Sequence, residues 1–174
     1  MGLDVRGKAT PTENEIALKP VGVIRTSATD EEVRRALDGL EATVEIFPEF
    51  GEALDGLEGY SHIFVLSYLH KLRPDQIGPL KVKPRGLLKR GFKLEELPLV
   101  GVFSIDSPTR PNPIGLSLVR LLRVEGTRLS VAGSDLFNGT PILDIKPYRS
   151  DRSAEDFRLP QWYSNLLAKV GTDF

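Results

Sequence analysis

The sequence has no cysteine and only two histidines, and these scarcities remove several kinds of chemistry. Without cysteine, the chain can form no disulfide, no thiolate nucleophile and no cysteine-ligated zinc or iron–sulfur site. Its histidines would need carboxylates to complete a zinc site, and no spacing of the His-Glu-x-x-His type occurs. We therefore expect no metal site and a reaction that uses no protein thiol.

Long apolar runs are missing as well. No run approaches the roughly 20 residues that span a bilayer, and the N-terminus has no signal-peptide core. We therefore expect a cytoplasmic protein with no membrane partner. The 174 residues, of which 40% are hydrophobic and 27% charged, suffice for one domain that folds without a disulfide or metal.

The net charge of −1 shows that the whole chain is not a polycation. One segment without any acidic residue is nevertheless basic, and its members are Lys81, Lys83, Arg85, Lys89, Arg90 and Lys93. Such a segment could bind the phosphates of RNA, with Lys89 and Arg90 as the candidates. The alternative is a solvated surface loop.

Short alternating segments separated by turn residues predict a compact, mainly β fold, either a barrel or a sandwich, with a few short helices. The chain divides into a flexible N-terminal arm (1–15), a barrel domain (16–148) and a C-terminal tail with a short helix (149–174). Thr29 and Glu32 have capping-box spacing at the start of a helix that should extend to about Asp38. Strands are expected at 21–25, 42–47, 63–69, 99–105, 116–124, 128–132 and 142–146.

Two of these regions carry a further expectation. The nearly continuous apolar run at 63–69 favours a strand buried on both faces, with a buried helix as the alternative. Residues 71–97, rich in proline, glycine and lysine, are typical of a long loop, which is uncommon unless it is functional or mobile.

A proline-rich segment, Ser107–Gly115, is the strongest candidate for a binding loop. Three X-Pro steps hold the backbone extended, so Arg110 and Asn112 project from a chain that is stiff before anything binds. Low ordering entropy favours binding. The alternative is a rigid connection between strands in which Asn112 caps a turn.

A second candidate segment follows between Asp135 and Tyr148. Asn138-Gly139 is typical of a tight turn. In the strand after it, alternation places Asp144 and Lys146 on one face, either as a surface ion pair or as the lining of a polar cavity. His70, at the end of an apolar strand, is either a hydrogen-bonded structural residue or part of a site.

Together these segments resemble the TrmO (TsaA/YaeB-like) family in the family's own order. The resemblance covers about residues 20 to 148, most of the chain. The matching segments are Val21–Ile24, Leu57–His62 with His70, Arg110–Gly115, Asn138–Pro141 and Asp144–Tyr148.

The resemblance implies a methyltransferase with a small closed β-barrel, unlike the Rossmann type, that works as a homodimer with its site near the subunit interface. Its donor would be S-adenosylmethionine, and its substrate the exocyclic nitrogen of threonylcarbamoyladenosine next to the tRNA anticodon. Arg110, Asn112, Asp144 and Lys146 are expected at the RNA substrate. Cofactor contacts are expected at Leu69, His70, Asp106, Leu116, Asp135, Leu136, Phe137, Asn138, Gly139 and Thr140.

Two departures from the family pattern motivate an alternative. Asp106 stands where the family has arginine, and a capped helix from Thr29 replaces a Gln-Pro loop. The chain could therefore be an S-adenosylmethionine-binding module or a small-molecule methyltransferase that keeps the barrel but not the tRNA substrate. Methyl transfer from a sulfonium needs chiefly alignment of donor and acceptor, so no catalytic residue is assigned. Asp106 could bind the ribose hydroxyls or lie near the sulfonium.

Overall fold

Six antiparallel strands close into a barrel in the order β1-β2-β7-β6-β3-β8. A computed structural model describes residues 16–171, so the expected N-terminal arm lies outside the described residues. The mainly β barrel with a few short helices is confirmed. The elements are β1 Gly22–Arg25, α1 Asp30–Arg35, β2 Leu40–Ile46, β3 His62–Tyr68, β4 Lys81–Val82, β5 Val100–Gly101, β6 Ile114–Glu125, β7 Arg128–Ser134, β8 Pro141–Pro147 and α2 Gln161–Val170.

The barrel interior is filled by one face of each strand. Closure abolishes the sheet edges, because β1 pairs with both β2 and β8. Each fully buried aliphatic side chain contributes about 1.5–3 kcal/mol. The side chains at most 1% exposed in this core are Ile24, Val44, Ile63, Val65, Val119, Leu129, Val131 and Ile142.

Two predicted elements are wrong in part. The strand at 63–69 is present, but only one face is buried: Phe64 and Leu66 lie half-buried on the outside of the barrel. Residues 99–105 form no barrel strand. Only Val100–Gly101 pairs, with β4, and the chain then turns so that Phe103 is 78% exposed. An apolar run predicts that its side chains favour burial, but it does not show which surface buries them or whether that surface belongs to the same chain.

The predicted first helix exists but is shorter than expected. The capping box is confirmed, since Thr29 N–H donates to Glu32 Oε2 at 2.7 Å and Glu32 N–H donates to Thr29 Oγ1 at 3.3 Å. Such a cap contributes about 1 kcal/mol. The helix ends at Ala36, which has extended ψ of 127°, and Leu37 is 64% exposed instead of covering the core.

Strand direction gathers three irregular segments at one end of the barrel, called here the His70 end. β3 ends there, β6 begins there, and the 135–140 loop joins β7 to β8 there. α1, between β1 and β2, lies at the same end. The opposite end carries the hairpin turn at Gly126–Thr127, between β6 and β7, and a 3₁₀ helix over Pro48–Leu54.

The long connection from β3 to β6, residues 69–113 and called here the excursion, is not the open loop that its composition predicts. It holds short 3₁₀ helices and buries Leu87, Phe92 and Leu97 against Leu166 of α2. This second core is separate from the barrel interior. The predicted C-terminal helix therefore packs on the excursion. Among residues 16–171, no helix is long and apolar enough to cross a membrane.

Candidate functional site

The proline-rich segment is fixed to the end of β3. Leu69 N–H donates to the carbonyl of Pro113 at 2.8 Å, and Pro113 is buried. Gly115 pairs with Ser67, and a Cβ at that position would lie 2.7 Å from Ser67 Oγ and 3.0 Å from Leu69 Cδ2. The absence of a side chain at Gly115 therefore allows this close approach.

The 135–140 loop is fixed to the last residues of β1 at the same end. Gly139 N–H donates to the carbonyl of Ile24, whose own N–H donates to Thr140, both at 2.9 Å. Asn138 Oδ1 accepts from Thr26 N–H at 3.2 Å. Gly139 has φ of 83°, so the Asn-Gly turn is confirmed, but it closes no hairpin because β7 and β8 are not paired.

His70 lies between these two segments. It follows Leu69, and a Cβ at Gly139 would be 4.0 Å from its Nε2. Its Nδ1 is buried without a hydrogen-bond partner among the described residues, which contradicts the interpretation as a satisfied structural histidine. Burial, and secondarily the charge of Lys71, lowers the pKa of His70, so the imidazole is held neutral. A neutral ring has one donor and one acceptor for a ligand.

In and next to the proline-rich segment, Ser107 and Thr109 are hydrogen-bonded to each other through their hydroxyls at 2.9 Å, whereas three other side chains have no such partner among the described residues. Within residues 16–171, Asp106, Arg110 and Asn112 make no side-chain hydrogen bond or ion pair, and Asn112 therefore does not cap a turn with its amide. Ser117 donates to Asp135 at 2.6 Å, which fixes the start of the 135–140 loop. Within that loop Leu136 is buried in the barrel core.

The other predicted site residues lie away from this point. Asp144 and Lys146 form a 2.6 Å ion pair on the outer face of β8, opposite Leu66 and Phe64, so within one chain they line no polar cavity. Leu116 points outward from β6 and is 67% exposed. In the excursion, the ammonium of Lys89 donates to the carbonyl of Ala36 at 3.0 Å.

Sequence reasoning missed two cations beside Phe137. The guanidinium of Arg34, on α1, lies 4.8 Å from the Phe137 ring centroid, and the ammonium of Lys71 lies 5.1 Å from it. Lys71 also pairs with Asp30 at 2.6 Å. No motif signals this cluster, because its members come from three segments far apart in the chain. The described residues contain no group of three His, Asp or Glu that could hold a metal ion.

The comparisons with known proteins agree on one family. The model of the tRNA-methyltransferase O N-terminal domain matches residues 31–153. A probable S-adenosyl-L-methionine-binding protein of Methanothermobacter thermautotrophicus is 42% identical over 143 residues, covering 80% of this chain and 95% of that protein. A tRNA (adenine(37)-N6)-methyltransferase of Rattus norvegicus is 39% identical over 112 residues, 64% of this chain but 24% of that protein.

The solved structure of TrmO from Pseudomonas aeruginosa is similar in fold. It has a TM-score of 0.61 and 32% identity, and the match covers 83% of this chain and 61% of that chain. This chain therefore spans less than two thirds of that protein's length.

Proposed function

This chain belongs to the TrmO family, and we propose that it is an S-adenosylmethionine-dependent methyltransferase of tRNA. The observation that carries the proposal is the meeting of the proline-rich segment and the 135–140 loop on either side of His70. The resemblance expects cofactor contacts at Leu69, His70 and this loop. A tRNA-modifying enzyme of this kind would work in the cytoplasm.

The residues at the His70 end are suited to a nucleoside ligand. The Nδ1 of His70, which has no partner among residues 16–171, and the carboxylate of Asp135 would supply the donor and acceptor groups that a purine and a ribose require. Gly139 leaves the space beside His70 Nε2 open. When bound, S-adenosylmethionine would supply an electrophilic methyl group on a cationic sulfur.

The protein's own contribution would be alignment and electrostatics. Stiff segments on both sides of His70 fix the ligand so that a neighbouring acceptor nitrogen lies in line with the transferred methyl. Asp106 is exposed and has no ion pair among the described residues, and we propose that it would bind ribose hydroxyls or lie near the sulfonium charge. Asp106→Ala should weaken donor binding in calorimetry; an unchanged affinity would remove Asp106 from the site.

We propose threonylcarbamoyladenosine next to the tRNA anticodon as the substrate, methylated on its exocyclic nitrogen. Arg110 and Asn112 project from the proline-rich segment near the proposed donor site and would bind the modified nucleoside. Lys89 and Arg90 lie on the excursion and would bind backbone phosphates.

The decisive experiment incubates the protein with donor and with tRNA that carries the threonylcarbamoyl group. Nucleosides are then analysed by mass spectrometry. A mass increase of one methyl group on threonylcarbamoyladenosine supports the proposal, and tRNA lacking the threonylcarbamoyl group serves as the control. Donor binding without any methylated nucleoside would favour the alternative, a binding module, which agrees with the name of the Methanothermobacter relative.

A second copy of the chain is proposed to cover the outer face of β3 and β6. Cross-strand pairs place Leu66 opposite Leu116 and Phe64 opposite Leu118, and Leu118 is 46% exposed. A contiguous apolar face rimmed by charges is typical of an interface. Asp144 and Lys146 beside it give the face both signs of charge, which suits self-association. Burial of Leu116 there would bring the interface to a residue that the resemblance associates with the cofactor.

Leu118→Glu should convert the dimer to a monomer, measured as mass in sedimentation equilibrium. Leu159→Glu, an exposed leucine outside this face, is the matched control. A monomeric wild type, or a Leu118→Glu protein that remains dimeric, would refute the assignment of this face.

A further inference from the structure

We propose that Arg34 is a phosphate-binding residue that positions the RNA backbone beside the 135–140 loop. This inference rests on the proposed tRNA substrate and adds to it a contact from α1. It is carried by the cluster of Arg34, Lys71 and Phe137 and by the link between Ala36 and Lys89.

The side chain of Arg34 is exposed to solvent and is held against the ring of Phe137. Its guanidinium lies 4.8 Å from the centroid of Phe137, and among residues 16–171 it has no carboxylate partner. The attraction of a cation to an aromatic ring acts through the ring face, worth roughly 0.5–1 kcal/mol at an exposed site. The N–H donors lie in the guanidinium plane, so stacking orders the side chain while leaving its donors available to a phosphate.

Lys71 has a different part in the same cluster. Its ammonium is paired with Asp30 at 2.6 Å, and both side chains are about one third exposed, at 35% and 34%. The pair is close to neutral and ties α1 to the residue after His70. Lys71 therefore holds the helix, whereas Arg34 has no carboxylate partner in the part of the chain that the structure describes.

The charges of α1 are divided between its ends. Acidic residues occupy the first turn, and Arg34 and Arg35 the last. The last turn is joined to the excursion by the hydrogen bond of 3.0 Å from Lys89 to the carbonyl of Ala36. Arg34 and Lys89 thus lie on adjoining surfaces, and the two side chains are called here the basic strip.

The strip gives the RNA a direction. A strand whose base enters at the His70 end would pass its neighbouring phosphates over the end of α1 toward Lys89. Phosphate contacts fix register without reading sequence. Arg34 is therefore a positioning residue, and its loss should raise KM for RNA while kcat at saturating RNA changes little.

Arg35 is a matched control within the same helix turn. It has the same charge, is 77% exposed and forms an i,i+4 ion pair with Glu31, not with a residue of the candidate site. Arg34→Gln and Arg35→Gln thus remove equal charge from neighbouring positions. Neither side chain is buried, so both variants should fold.

The test measures fluorescence anisotropy of a labelled anticodon stem-loop at several salt concentrations, with calorimetric donor binding alongside. Arg34→Gln should weaken RNA affinity roughly tenfold and reduce the log–log salt slope by about 0.7–0.9. Arg35→Gln should alter the slope by clearly less. Arg34→Lys should restore the slope but only part of the affinity, because the planar fork is lost.

Three results would overturn the inference. Equal losses in Arg34→Gln and Arg35→Gln would mean that only general charge matters. An unchanged slope in Arg34→Gln would exclude a phosphate contact. A fall in donor affinity with RNA affinity unchanged would mean that Arg34 acts through Phe137. If wild-type protein binds and methylates no RNA, the proposed function fails instead, and the two failures are distinguished by the wild-type control.

Discussion

Gly115→Ala is the substitution whose effect follows most directly from the geometry. The new methyl group would lie 2.7 Å from Ser67 Oγ and 3.0 Å from Leu69 Cδ2. Ser67 is fully buried and its hydroxyl has no hydrogen-bond partner among the described residues. The clash therefore falls on a side chain that cannot move into solvent, directly below a residue expected at the cofactor.

Two magnitudes decide the outcome. Overpacking a closely packed interior costs about 1–3 kcal/mol, so Gly115→Ala should lose that much free energy of unfolding. Ser67→Ala removes an unsatisfied buried hydroxyl, whose burial alone costs about 1–3 kcal/mol, and should be neutral or stabilising. In the Ser67→Ala background the nearest obstacle is gone, and the tip of Leu69 can give way.

The assay is a double-mutant cycle by urea unfolding, with calorimetric donor binding for each protein. We expect Gly115→Ala to cost at least about 1 kcal/mol less in the Ser67→Ala background than in the wild type. The single variant should also bind donor more weakly, since Leu69 is displaced. Equal costs of Gly115→Ala in both backgrounds would refute the reasoning.

Two further predictions concern the second core and His70. Leu166→Ala should destabilise the packing of α2 on the excursion by about 2–5 kcal/mol. The fluorescence of Trp162, the single tryptophan, should then change at a lower denaturant concentration than the circular dichroism of the barrel. A fluorescence transition at the wild-type midpoint would contradict this prediction. Because burial lowers the pKa of His70, the unfolded state takes up its proton first, so stability should fall as pH drops below about 6.5. His70→Asn should flatten that part of the pH profile, and superimposable slopes would show that His70 does not titrate in this way.

Local signals predicted the elements whose determinants lie within a few residues. The Thr29–Glu32 capping box and the strands expected at 42–47 and 128–132 each depend on neighbours in sequence. Closure of β1 on β8 depends on pairing across most of the chain and was predicted from the resemblance and the fold class, not from any one segment.

The prediction of a long loop at 71–97 was wrong because the structure of this segment depends on tertiary packing and not on its composition. Leu87, Phe92 and Leu97 are separated mainly by charged residues and follow one another at intervals of five, which is the period of neither a helix nor a strand, so nothing in the sequence indicated a core there. Their partner, Leu166, lies far along the chain. The same limit applies to Arg34 and Phe137, whose proximity requires α1 and the 135–140 loop to meet at one barrel end.

For the candidate site, the two segments that sequence reasoning selected do meet beside His70. Their roles in binding remain predictions. The sequence left open whether Asp144 and Lys146 form a surface ion pair or line a cavity, because a period of two gives the alternation of a strand but not which face is inside. The outward position of Leu116 was not predicted.

The hydrogen bond between Leu69 and Pro113 closes the excursion at its base, where it leaves and rejoins the barrel. Because its two ends are already held together, a segment of this kind can change in length or sequence at little cost in loop-closure entropy to the barrel. The excursion can thus be exchanged as a unit between related proteins. Grafting residues 70–112 between relatives should carry over preference for RNA while each recipient barrel keeps its own stability.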